Sequence, residues 1–503
     1  MKIHKKILAG LLISSFLFGS QAYAIGDKTD TKVEQINAYE VKVKQGSILS
    51  LNDCIALALN NSPEIIHARH NYGISKANVG IARSEFFPTI GIGTGYNYNN
   101  NHTKRFNTES DIYSLNATIN QLLFNFGKTN ARIKMQKFYL IGDEYNFYNA
   151  VREITFDVKQ KYYQVLAARA TVLINEAYVD INERNYQRTK AYYDEGLKSK
   201  IDLVNAEVTL SDSKIGLIQS ENNYQNALVN LNNSMYLVEA PAYNIEGMSG
   251  FNIQNNIAPV DVNAFEKLTK FESDELPVEV SDAKFTTAVQ KLEVLTDYKV
   301  DTFPYSYEEC QKIAKKNRAD IKAYTSTVDA MRENLLYVKR NYYPEISATA
   351  GYGFRDENRT NSFNVGVNLS SSLNILNHTN QVDVAKYNLE IAQNSLDQLT
   401  KDIYFQVQNA YINMIQLEKQ IPLQGVKVRQ TLENYELAEG RYYVGLGDYI
   451  ELQDAKVNYN NAQHSYINTI YNYNVARANL ESVIALPQRV TATLEEKKNG
   501  RKK

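Results

Sequence analysis

Few residues in this 503-residue chain are of types and spacings suited to chemistry. Glu64, His67 and His70 fall at i, i+3 and i+6, which on a helix gathers a carboxylate and two imidazoles that could hold a divalent metal. A second copy of the same stretch, set out below, has Asp320, Ala323 and Ser326 at those positions and does not complete a site, so a solvated helix face is the better reading. No metal or other cofactor is expected. "GIGTG" at 91–95 has the glycines of a phosphate loop, but it sits inside an alternating strand pattern rather than at a strand-to-helix turn. The remaining histidines are scattered, and no Ser/His/Asp order with supporting motifs stands out. Cys54 and Cys310 are too few for a disulfide scaffold and read as buried small apolar residues, although an export compartment would permit a bridge between them.

The elements that carry these residues occur twice. Cys54 and Cys310 are 256 positions apart, and so are Ser50 and Ser306, Pro88 and Pro344, and Tyr96 and Tyr352. The offset becomes 250 at Tyr113 and Phe363, then 249 for Ile154 and Ile403, Val158 and Val407, Gly196 and Gly445, and Leu231 and Leu480. A constant spacing of this kind marks an internal duplication. The predicted organisation is a signal peptide over 1–24, an N-terminal linker over 25–49, repeat one over 50–231, a connector over 232–305, repeat two over 306–485 and a polar C-terminal tail over 486–503. The signal rests on Lys2, Lys5 and Lys6, the apolar run from Ile7 to Phe18 and the Ala22-Tyr23-Ala24 cleavage pattern. The connector is acidic, with 12 Asp/Glu against 5 Lys/Arg, and reads either as part of a belt around the helices or as a solvated linker.

Each repeat reads as helix, strand pair, long helix, turn and returning helix. Leu51 to Glu85 carries helical periodicity that "FFP" ends. Two alternating runs follow, 89–99 and 111–122, with Tyr113, Leu115, Ala117 and Ile119 on one side and Ser114, Asn116, Thr118 and Asn120 on the other. Runs of about 11 residues suit a tilted transmembrane strand with lipid on one face and water on the other; a half-buried soluble hairpin packed on helices has the same alternation. From Thr129 to Tyr193 there is no proline and a single glycine, Gly142, allowing a helix of about 100 Å. Repeat two matches from Thr379 to Tyr443, with a kink expected at Pro422. Gly196 and Gly445 permit the reversals that follow. Four strands cannot close a barrel, so several chains must pool theirs. A net charge of −1 shows no electrostatic footprint for nucleic acid.

"FFPTIG", "YYPEIS", "LLFNFGKTNARI" and "YYVGLGDYIELQDAKVNY", in this order and within a duplicated plan, resemble the TolC-like outer-membrane efflux factors of Gram-negative bacteria. The resemblance implies an α+β membrane protein: a homotrimer whose chains each give four strands to a twelve-stranded outer-membrane β-barrel, continuous with a long periplasmic α-helical barrel. It implies an exit duct of a tripartite pump or type I secretion system, docked to a periplasmic adaptor and an inner-membrane transporter, surrounded by outer-membrane lipid and performing no covalent chemistry. A secreted, non-conducting coiled-coil rod with a β head is the alternative. Repeat two departs from the pattern at "SLNILNH", 372–378, which lacks the Phe and Gly that end the strand pair in repeat one.

By motif position, the family's entrance carboxylates fall on Glu451 and Asp454, with Asp202 and Asn205 as the repeat-one equivalents. Three copies of each in a narrowing would concentrate cations. Gly447 stands where the family's type member has an arginine that helps hold the entrance shut, so closure is expected to be secured differently here. The turn residues Gly196, Leu197, Gly445, Leu446 and Gly447 are the expected adaptor-docking tips, unless the glycines serve only the reversal.

Overall fold

The computed structural model describes residues 41–102, 107–247, 300, 302–356, 359–371 and 374–486. The signal peptide, most of the connector and nearly all of the C-terminal tail lie outside them. Repeat one comprises β1 (Ile48–Leu49), α1 (Leu51–Asn61), α2 (Pro63–Ser84), β2 (Thr89–His102), β3 (Asn107–Phe124), α3 (Lys128–Asp194) and α4 (Lys200–Ser234), followed by β4 (Asn244–Ile245) in the connector. Repeat two comprises α5 (Tyr307–Asn317), α6 (Ala319–Arg340), β5 (Glu345–Arg355), β6 (Thr360–Ser370), α7 (Ile375–Tyr443) and α8 (Tyr449–Val483). Among the described residues no helix is long and apolar enough to cross a membrane.

One expectation is corrected. The helix read from Leu51 to Glu85 is two helices, because Ser62 precedes Pro63 and adopts φ −63°, ψ 123°, outside the α region. Its hydroxyl then accepts from the amides of Glu64 and Ile65 and restarts the chain as α2. Repeat two breaks at the equivalent Arg318, with φ −56° and ψ 119°, although Ala319 follows it. There the buried Arg318 guanidinium donates to the Val483 carbonyl at 3.0 Å, so packing holds a break that proline enforces in repeat one. Helices α1 and α5 both open with a capping box, Ser50 with Asp53 and Ser306 with Glu309, each worth about 1 kcal/mol.

The chain divides into two compact units. The first takes Ile66–Tyr148 and Ala319–Thr400 and contains an antiparallel sheet in the order β2-β3-β5-β6. Its register sorts the side chains into two faces. Ile90, Ile92, Tyr96 and Tyr98 share one with Tyr113, Leu115, Ala117, Ile119, Ala350, Tyr352, Phe363, Val365, Val367 and Leu369; the other carries mainly Asn, Ser, Thr and Gly, with Ile112, Leu122, Glu345 and Arg355 among them. The apolar face is open, with Ile92 76% and Val367 71% exposed. That excludes a soluble hairpin packed on helices. Where β3 meets α3, Phe126 (φ 52°) and Gly127 (φ 78°) turn the chain and Arg340 donates to the Gly127 carbonyl at 2.8 Å. Asn125 holds the Thr129 hydroxyl at 2.7 Å, and Thr129 and Arg132 both bind Glu85. In repeat two, Asn374 accepts from the Asn377 amide and the helix begins at Ile375, earlier than its counterpart; residues 372–373 of the degenerate motif lie outside the described set.

The second unit takes Asn37–Ile65, Asn149–Arg318 and Lys401–Lys503. Its core is built from equivalent residues of both repeats: Cys54 and Cys310, Val158 and Val407, and Leu231 and Leu480 are all fully buried. The cysteines are free thiols, and burial pushes Cys54 up to about 12 and Cys310 up to about 11. Strands β1 and β4 pair in parallel, tying the start of the connector to the segment before α1, and the buried Tyr243 donates to Asn232 at 2.7 Å. Helices α3 and α7 run 67 and 69 residues, each about 100 Å by helical rise. Pro422 lies inside α7 without ending it, at the cost of the bond to the Glu418 carbonyl.

Candidate functional site: the paired helical turns

Both long helices end in the same device. Gly196 and Gly445 each have φ 76°, a conformation that a residue with a Cβ adopts with strain. In the first turn the amides of Gly196 and Leu197 reach back to the carbonyls of Tyr193 (2.9 Å) and Tyr192 (2.8 Å). In the second, those of Gly445 and Leu446 reach Tyr442 (3.3 Å) and Arg441 (2.9 Å). These are Schellman closures, which satisfy carbonyls that a helix end would leave bare. Each following helix is capped at once. Ser199 and Asp202 form a capping box at α4, and the Asp448 carboxylate accepts from the Glu451 amide at 2.7 Å at α8.

Asp202 and Glu451 therefore occupy the same third position of their helices, and the structure gives them different work. Asp202 spends its carboxylate on the Ser199 amide (3.2 Å) and hydroxyl (2.8 Å). Glu451 reaches back across the turn to Arg441 Nε at 3.5 Å. Gly447 lies where a methyl would come within 3.2 Å of the Arg441 Cβ, the Glu451 carboxylate and the Tyr442 amide, so a side chain there would crowd this crossing. The arginine beside Glu451 thus comes from the last turn of α7, before the reversal. Asp454 stands exposed on the next turn of α8. At the tips Leu197 and Leu446 are exposed, the latter 75%, and nothing lies within 4 Å of a methyl built on Gly196 or Gly445.

The two hairpins are held side by side. Lys198 Nζ sits 3.9 Å from the Tyr442 ring centroid, and the Arg188 guanidinium 4.7 Å from that of Tyr443. Thr209 Oγ1 and Tyr449 Oη are 3.0 Å apart. Burial pushes the Tyr442 phenol up to about 12, with the nearby Asp202 charge acting the same way. Further along, the α3–α8 seam is unusual in burying an amine. Lys456 is 2% exposed and donates to Asn182 Oδ1 at 3.0 Å, in a small cavity lined also by Tyr178, Ile181, Tyr435, Tyr459 and Gln463. Desolvation lowers this ammonium to about 8, with Glu439 opposing the shift.

Arg441, Lys198, Tyr442 and Lys456 were not legible as functional residues. Arg441 pairs with a carboxylate ten positions on, a separation that no helix or strand period marks, and the repeat-one position matching Lys456 is the exposed Glu207. Glu64, His67 and His70 lie on α2 and are exposed; among the described residues no cluster of three metal-ligating side chains forms.

The comparisons with known proteins agree with this geometry. Residues 54–235 and 311–486 match the family model described as outer membrane efflux protein. The outer membrane protein TolC of Escherichia coli K12 is 21% identical over 444 residues, covering 84% of this chain and 80% of its own. The alkaline protease secretion protein AprF of Pseudomonas aeruginosa is 26% identical over 180 residues, about a third of each chain (35% and 37%). Among solved structures, the Campylobacter jejuni CmeC outer membrane channel superposes with TM-score 0.68 at 14% identity, covering 92% of this chain and 94% of its own. The outer membrane protein VceC of Vibrio cholerae gives 0.67 at 14%, covering 86% and 95%. A duplicated plan of strand pairs and capped helical turns, matched in both halves by one family model, makes this chain a member of the outer membrane efflux protein family.

Proposed function

We propose that the chain is one protomer of an outer-membrane exit duct that conducts cargo passively, without a covalent step. The observation that carries this is the apolar sheet face, exposed across all four strands from Ile90 and Ile92 to Val365, Val367 and Leu369. Each such aliphatic side chain gains about 1.5–3 kcal/mol on leaving water, and a face of this extent needs a cover. Lipid supplies it. Strands β2 and β6 are the outermost of the sheet, and open edges are not tolerated in hydrocarbon, so neighbouring copies complete the barrel. Three copies give twelve strands, in keeping with the family.

In this reading Glu451 and Asp454 ring the periplasmic entrance, Arg441 restrains Glu451 in the closed state, and the tips around Gly196, Leu197, Gly445, Leu446 and Gly447 meet a periplasmic adaptor that couples the duct to an inner-membrane transporter. Asp202 serves the first turn chiefly as a cap. The relatives include a protease secretion protein and a cation efflux system protein, and both cargo classes fit a passive duct. The test is reconstitution: the mature chain should appear in outer-membrane fractions as heat-modifiable oligomers and open ion-conducting channels in a planar bilayer. A soluble, non-conducting product would establish the secreted rod instead.

A further inference from the structure

The polar face of the sheet carries a pattern that conduction alone does not require. The register places Gly91, Thr118, Gly351 and Asn364 in one row across the four strands, and Gly93, Asn116, Gly353 and Ser362 in the next. Glycine and a short polar residue alternate strand by strand. A glycine inside a strand costs roughly 0.5–1 kcal/mol relative to alanine and packs nothing, so Gly91, Gly93, Gly95, Gly351, Gly353 and Gly366 on one face call for a reason.

Their neighbours supply it. A methyl at Gly91 would stand 2.9 Å from Thr118 Oγ1, one at Gly95 3.2 Å from Ser114 Oγ, and one at Gly353 2.7 Å from Ser362 Oγ and 3.1 Å from Asn116 Oδ1. At Gly351 it would collide with the Asn364 amide. These polar side chains lie along the sheet, over the bare α-carbons of the next strand. Ser114 Oγ donates to the Gly95 carbonyl at 3.3 Å and Ser362 Oγ to the Gly353 carbonyl at 3.4 Å. Two glycines differ: nothing lies within 4 Å of a methyl at Gly93, and at Gly366 the nearest atom is Thr349 Oγ1 at 3.7 Å. Formal charge is sparse on this face: Arg355 lies on the row of Gly95, and Glu345, at the other end of β5, is paired with Lys128 at 2.8 Å.

We infer that Gly91, Gly95, Gly351 and Gly353 are recesses that keep the polar side chains of neighbouring strands flat against the duct wall, giving a smooth, nearly uncharged bore that passes bulky hydrated cargo without sorting it by charge. The inference rests on the reading that this face lines the water-filled barrel. Selection by charge then belongs to the helical turns rather than to the strands.

The test compares single-channel conductance in planar bilayers for variants that still form heat-modifiable oligomers. Gly351→Ala should lower conductance by lifting Asn364 into the bore, Gly93→Ala should leave it unchanged, and Gly351→Ala with Asn364→Ala should restore it. Should Gly351→Ala not assemble, Gly353→Ala with and without Ser362→Ala gives the same comparison. Equal conductance for the Gly351 and Gly93 variants, or a loss that Asn364→Ala does not reverse, overturns the recess and leaves sheet curvature as the glycines' role. A separate arm tests the lining itself: a charged, water-soluble thiol reagent should reduce current through Ser362→Cys and not through Val365→Cys, the native thiols being buried. The opposite pattern would overturn the face assignment and the inference with it.

Discussion

Replacing Lys456 by Met should remove a pH dependence from the packing of the two helical hairpins. The Lys456 ammonium is 2% exposed, with Asn182 Oδ1 as its hydrogen-bond acceptor. Burial lowers its titration from 10.5 to about 8, which at 1.36 kcal/mol per unit is a penalty of about 3 kcal/mol on the charged form in each chain. Because the folded value is the lower one, the unfolded chain holds the extra proton between the two. Stability therefore rises with pH from about 8 towards 10.5, and the penalty is present in full below about 8. Burial raises the Tyr178 and Tyr435 phenols and lowers His464; raised phenols lose stability where unfolded tyrosines ionise, about pH 10, so the test is the difference between wild type and Lys456→Met. Losing the bond to Asn182 costs Lys456→Met about 1 kcal/mol, for a net gain of about 2 kcal/mol per chain at pH 7. The assay is denaturant unfolding of the detergent-solubilised protein, followed by helical circular dichroism at pH 7, 8, 9 and 10. A Lys456→Met variant that keeps the wild-type slope would refute the reasoning.

Four further outcomes are expected. Glu451→Ala with Asp454→Ala should weaken cation selectivity and block by trivalent cations in bilayer recordings, and unchanged selectivity would reject the carboxylate ring. Arg441→Ala should release Glu451 and raise the open probability of the reconstituted channel; since an exposed ion pair is worth at most about 1 kcal/mol, the change should stay within about fivefold for each of the three chains, and no change would remove Arg441 from the closed state. Leu197→Asp with Leu446→Asp should abolish crosslinking to the adaptor in cells while conductance persists, because both side chains are exposed and support no core. Gly445→Asn, which tolerates the φ of 76°, should assemble and conduct.

Duplication, strand alternation, long uninterrupted helices and glycine reversals are local or periodic properties, and they determined the element order and the family from the amino-acid chain alone. The paired offsets placed Gly196 and Gly445 correctly at equivalent turns because a positive φ at a helix end is a demand that few residues other than glycine meet. The break at Ser62 was local too, written in Pro63, yet its twin at Arg318 was not, since there the conformation is held by the Val483 carbonyl 165 positions away. The same limit applied at the helical turns. Carboxylates at Asp202 and Glu451 were visible as a motif, but whether each serves a cap or an ion pair depends on which groups the turn geometry brings within reach. Lys456 shows the limit most plainly: its repeat counterpart Glu207 is exposed, and only the packing of α8 against α3 decides that this amine leaves water, because desolvation is set by all the atoms around a group and not by its neighbours in the chain.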